Sequence, residues 1–152
     1  MDKKIWKQTI KIEEYMNEDY VSYEVAKLLK EKKFHWNCHV CYDPRGESKE
    51  LLVQEGISNV CYSVVYAAPT LYMAQKWLRE TYAIYIVVKP HYSEKYEIVE
   101  FEYEIYSYDG MVIDKSAPIK SEEYYEFFTE CMDNAILEAL KLTWIWTKIM
   151  YH

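Results

Sequence analysis

The segment HWNCHVCYD, residues 35–43, brings two cysteines and two histidines within seven positions. Two thiolates and an imidazole would fill three of the four tetrahedral positions around a zinc ion. A C-x-x-C pair at a helix N-terminus would instead be a thiol–disulfide redox site, because the helix dipole lowers the thiol pKa. The context argues against both. On an extended chain His35, Asn37, His39 and Cys41 share one face while Cys38 lies on the other, and no glycine between the cysteines eases a knuckle. A structural zinc module also brings a second C-x-x-C, whereas Cys61 and Cys131 stand alone. The pair runs into Asp43-Pro44, a turn, and not into a helix. The simplest reading makes Cys38 a small buried hydrophobe, with His35 and His39 at the surface. A metal-binding module using Cys38, Cys41 and a histidine is the alternative, and no residue is assigned as a metal ligand, cofactor contact or catalytic group.

Three other groups of residues could carry function. Glu100, Glu102 and Glu104 alternate along one segment and could attract a cation, but calcium and magnesium usually bind where a looping chain wraps the ion. Alternate residues on a flat strand diverge, so they read as a solvated face that also opposes edge-to-edge association. Ala68-Pro69-Thr70 opens a helix whose N-terminal amides could hold an anion, with Lys76 and Arg79 within two turns. Tyrosine is the compositional outlier, at 17 of 152 residues. It joins a large apolar body to a polar tip, and aromatic residues are enriched at interfaces. Rings in Tyr62–Tyr72 and Tyr92–Tyr108 belong either to a wet-edged core or to a partner surface. Trp144 and Trp146 form a hot-spot pair if exposed and close the core if buried. There is no G-x-S-x-G, no Gly-rich loop after a strand and no H-E-x-x-H.

The elements that must position these residues follow from periodicity. Val21, Val25, Leu28 and Leu29 fall on one face of a helix capped by Ser22. Phe34–Tyr42 reads as a strand closed by the turn Asp43-Pro44-Arg45-Gly46, with irregular chain as far as Val60 and a second short strand over Cys61–Tyr66. Pro69 suits the first position of the next helix, which turns Leu71, Ala74, Trp77 and Leu78 inward. AIYIVVKP reads as a buried strand closed by Pro90. In YEIVEFEYEIYSYDG, Val99, Phe101, Tyr103 and Ile105 face the core and the three glutamates face water. Asp109-Gly110 signals a hairpin, returning Met111–Asp114 antiparallel until Pro118. Ser121 caps a last helix reaching at least Leu142, with Tyr124, Phe128, Cys131, Ala135, Ala139 and Leu142 inward. Residues 10–17 are open between a helical turn and a short strand.

Together these predict one α+β domain over residues 1–152. It has two layers: a mainly antiparallel sheet of about 3–5 strands, with helices packed on one face. A chain of this length buries about 68–70% of its unfolded surface, so it needs neither disulfide nor metal to fold. The net charge of −7 and the interleaving of Lys27, Lys30, Lys32 and Lys33 with Glu24 and Glu31 speak against nucleic acid as a partner. No segment reads as a secretory signal or membrane span, which points to the cytoplasm and reduced cysteines.

At SYEVAKLLKEKKF, APTLYMAQKWLRET and AILEALKL the sequence resembles a set of small uncharacterised proteins encoded by anaerobic gut bacteria and their phages. The likeness covers about residues 20–142. Lys33 stands where those proteins usually have glycine, and the Trp-rich tail extends past their common end. The resemblance transfers no catalytic residue. It implies a small accessory protein of phage or mobile-element origin. The functional expectation is therefore a non-enzymatic interaction protein with a Tyr/Trp-rich surface that meets a protein partner or a second copy of itself.

Overall fold

A computed structural model describes residues 18–61, 64–107 and 118–150, with 144–150 as backbone alone. The fold is α+β. Its element order is α1 (Tyr23–Glu31), β1 (Cys38–Tyr42), β2 (Leu52–Ile57), β3 (Tyr66–Ala67), α2 (Leu71–Tyr82), β4 (Ile84–Ser93), β5 (Ile98–Ser107), β6 (Ile119–Lys120) and α3 (Phe128–Met150). The strands are shared between two antiparallel three-stranded sheets, ordered β2-β1-β3 and β4-β5-β6. These sheets belong to two compact units, Met1–Thr70 and Leu71–His152.

In the first unit the Ser22 hydroxyl accepts the Val25 amide and starts α1. Val21, Val25, Ala26 and Leu29 are buried. The helix ends in a Schellman turn: the Lys33 amide donates to the Lys30 carbonyl and the Phe34 amide to that of Leu29, while Leu29 and Phe34 are both buried. This turn needs a left-handed residue, and Lys33 supplies it at φ 68°. Strand β2 was not expected, because Leu51–Ile57 lacks clean alternation. It pairs Val53 with Val40 and Ile57 with Cys38, and the register shift between them is absorbed where Gly56 adopts φ 68°. The ring of Tyr23 meets Tyr42 and Tyr66 edge-on, at 5.6 and 5.5 Å, and the Tyr42 hydroxyl donates to the Val21 carbonyl. These tyrosines serve the core.

In the second unit Leu71, Ala74, Trp77 and Leu78 are the buried face of α2, as their spacing predicts. Pro69 lies two residues before that helix and not at its first position; its carbonyl accepts the Val21 amide. The AIYIVVKP strand does not stop at Pro90. It runs to Ser93, with Pro90 opposite Phe101, because β4 is an edge strand and a proline there removes no ladder donor. Nor is this strand buried throughout: Tyr85, Val87 and Tyr92 are exposed.

The last helix starts at Phe128, not Ser121. Tyr125 exchanges both backbone hydrogen bonds with Phe101, and the Ser121 amide donates to the Tyr103 carbonyl. The Ser121 hydroxyl accepts the Tyr103 amide, so it finishes the edge of β5 and caps no helix. Tyr124 and Phe128 are accordingly exposed. The buried stripe of α3 is Cys131, Met132, Ala135, Ile136, Ala139, Leu140 and Thr143. The return pairing of β6 with Glu104 and Ile105 begins after Pro118, where the sequence expects the strand to have ended. The expected turn at Asp109-Gly110, the strand over Met111–Asp114, the 10–17 element and the side chains of Trp144 and Trp146 lie outside the described residues.

Replacing Lys33 by glycine relieves a left-handed conformation that costs a side-chain-bearing residue about 1–2 kcal/mol, offset in part by unfolded-state entropy. Urea unfolding is expected to show Lys33→Gly more stable by about 0.5–1 kcal/mol, and Lys33→Val less stable than the parent.

Candidate functional site

Strand β1 carries the cysteine–histidine segment through the middle of its sheet. Cys38 and Cys41 are both buried, at 2% and 1% exposure, whereas His35 and His39 are exposed. The Cys38 thiol lies 3.6 Å from the Trp36 carbonyl. Burial, reinforced by neighbouring Cys41, pushes the Cys38 thiol up to about 12. Burial, reinforced by Asp43, pushes Cys41 up to about 11. Thiols of this kind are protonated at neutral pH and are poor nucleophiles and poor ligands. Cys41 is more deeply placed than its face of the strand suggests, since only Cys38 was expected inside. Among the described residues no group of three or more His, Cys, Asp or Glu side chains gathers as a metal site.

Cys131, on α3, is also buried and is pushed up to about 11 by burial and by Glu102 and Glu130. Cys61 is exposed. A thiol-specific chromophoric reagent at mildly alkaline pH is therefore expected to modify Cys61 rapidly. The other three should react only on the unfolding timescale, and Cys61→Ser should remove the fast phase.

The three glutamates of β5 do not form a uniform solvated face. Glu104 is buried, and Glu100 and Glu102 are half-buried. Lys89 donates to Glu104 at 2.8 Å, and the Tyr106 hydroxyl donates to the other carboxylate oxygen. These hydrogen bonds hold the Glu104 carboxyl below the usual carboxylate range. The stabilisation is complete above the unfolded glutamate pKa of about 4.3 and is lost as pH falls through the lower folded value. Glu104→Gln should lower the urea midpoint at neutral pH. It should also flatten the acid limb of a midpoint-against-pH series.

On α2, Lys76 lies 3.9 Å from Glu80, one turn along the helix.

Two surfaces of the second unit are better built. The first lies on the β4–β5 hairpin. Cross-strand partners share a face, so one face carries the pairs Ile84–Ser107, Ile86–Ile105, Val88–Tyr103, Pro90–Phe101 and Tyr92–Val99. Exposure climbs steadily along it. Ile84 and Ile105 are 1% and 0% exposed, whereas Tyr92 and Val99 at the far end are 59% and 51% exposed. Phe128, at the start of α3, meets Phe101 edge-on at 5.8 Å; Tyr96 and Phe127 are exposed as well. On the opposite face Tyr124 stacks on His91 at 4.4 Å. The apolar row is continuous, but its burial ends near Phe101.

The second is a cavity of about 510 Å³ at the β5–β6 edge, lined by Tyr103, Lys120, Glu122, Glu123, Tyr125 and Glu138, with Ile119 completing the wall. The Tyr103 and Tyr125 rings stack with centroids 6.2 Å apart. Burial raises both hydroxyls; carboxylates add to this, Glu138 foremost at Tyr103 and Glu123 beside Tyr103 at Tyr125, which reaches about 12. In the sequence Glu122 and Glu123 read as a helix N-terminus, which hides this cavity. The Tyr124–Tyr125–Phe127 cluster, more at home in a strand than in the first turn of a helix, is the signal that could have revealed it.

The chain matches no protein-family model, no curated protein and no solved structure. Among the described residues no helix is long and apolar enough to cross a membrane.

Proposed function

We propose that the chain is a small non-enzymatic accessory protein that docks a partner protein, or a second copy of itself, on the aromatic far end of the β4–β5 hairpin. One observation carries this reading. The inner apolar row continues past its cover, leaving the cross-strand pair Tyr92–Val99 more than half exposed at its end. Exposed apolar residues scattered singly need no explanation, but a clustered patch marks an interaction surface. Tyrosine-rich patches suit such contacts because large rings bury area at low conformational cost. The tyrosine excess therefore has two roles: Tyr23, Tyr42 and Tyr66 build the first unit, and Tyr92 and Tyr96 face outward on the second. In this reading the protein works in the cytoplasm, where its thiols stay reduced. Its resemblance to small proteins of bacteria and phages suits an accessory role.

The test compares the parent with Tyr92→Ser/Val99→Ser. Both positions are exposed, so the melting temperature should change little. Light scattering over a wide concentration range reads self-association, and quantitative cross-linking in the native host reads a second protein. The expected result is an oligomer, or a cross-linked partner, present with the parent and lost with the variant. Identical behaviour of parent and variant in both measurements would contradict the proposal.

A further inference from the structure

The cavity at the β5–β6 edge has a chemistry of its own, independent of the hairpin surface. It presents three carboxylates, Glu122, Glu123 and Glu138, against one ammonium, Lys120. An anion is therefore disfavoured and a cation favoured. The carboxylates sit on two elements, the β6–α3 connection and α3 itself, and among the described residues none of the acidic groups converges as a metal site. This favours a cation larger than a bare ion, able to span carboxylates carried by two elements. The volume of about 510 Å³ lies within the range of small-molecule sites.

The aromatic wall points the same way. Tyr103 is only 8% exposed, yet no described protein group hydrogen-bonds its hydroxyl. A largely buried tyrosine on the cavity wall, with no described protein partner for its hydroxyl, leaves that hydroxyl available to a ligand. The stacked Tyr103 and Tyr125 rings offer π faces and hydroxyl oxygens, and cations are attracted to such faces. The surrounding carboxylates supply the charge-assisted acceptors that an N–H donor needs.

We propose that this cavity binds an organic cation, an alkylammonium or guanidinium group held between the Tyr103–Tyr125 pair and the carboxylates of Glu122, Glu123 and Glu138. Two sources share this chemistry: a free polyamine, or a lysine or arginine side chain presented by a protein.

The experiment titrates the full chain with spermidine, with acetyl-arginine amide and with acetyl-lysine amide, following tyrosine ring resonances and heat of binding. Glu122→Gln/Glu138→Gln removes charge at half-buried or exposed positions, and Tyr103→Phe removes only the hydroxyl; circular dichroism checks that each variant folds. The expected result is saturable binding that moves the Tyr103 and Tyr125 resonances, weakens with salt, and falls roughly tenfold in the double variant. Saturation by spermidine alone assigns a free polyamine, and saturation by the amino-acid amides alone assigns a basic side chain; either supports the proposal. No saturable binding of any of the three, or unchanged affinity in the folded double variant, overturns it.

Discussion

The second unit depends on the register between β4 and β5. Ten successive residue pairs, from Ile84 opposite Ser107 to Ser93 opposite Ile98, fix which side chains face inward. A slip of one residue would turn every inward side chain outward. Held in this register, Ile86, Val88, Tyr103 and Ile105 lie on the inner face. Glu104 comes onto the other face with Lys89 and Tyr106 within hydrogen-bond reach. The hairpin closes through Glu97 at φ 51°, so a non-glycine residue accepts a left-handed turn to keep the pairing. The aromatic end and the edge cavity both follow from this one ladder.

The same ladder separates two surfaces of different character. At its far end the inner row outlasts its cover, and the surface is apolar and aromatic. On the β5 edge the chain from Ser121 to Tyr125 first pairs with Tyr103 and then with Phe101. Of the three residues between those two attachments, Glu122 and Glu123 line the cavity and Tyr124 stacks on His91. An extended segment attached to the sheet edge by two short pairings thus supplies part of the cavity wall.

Much of the fold was legible in the residues. Ser22 caps α1, the Leu71–Leu78 stripe is the face of α2, and the Tyr103–Ile105 alternation is a core strand, because local spacing and side-chain chemistry decide each of these. What the sequence hid was decided by distant partners. Pro90 reads as a strand end, yet β4 continues because its outer edge needs no donor. Ser121-Glu122-Glu123 reads as a helix start, yet the backbone of β5 claims that segment first. Strand β2 is invisible in its own composition and exists because β1 and the Gly56 bulge accept it. Glu104 reads as solvent-facing, and a lysine fifteen residues away in sequence draws it into a hydrogen-bonded pair. The candidate cavity was hidden for the same reason, since its lining comes from β5, β6, the chain before α3 and α3 itself. The exposed far end of the hairpin is legible in the sequence only as rings over Tyr92–Tyr108 that could belong to a core edge or to a partner surface. Which rings are outward depends on where the cover over the inner row stops.

Hydroxyl-radical footprinting with residue-level mass spectrometry tests this account most directly, because it reads side-chain exposure along the two strands at once. The account predicts rapid oxidation of Tyr92, Tyr96 and Phe127 and strong protection of Tyr103 and Ile105. Equal protection of Tyr92 and Tyr103 in the folded monomer would mean that the inner row is covered to its end, and would contradict it.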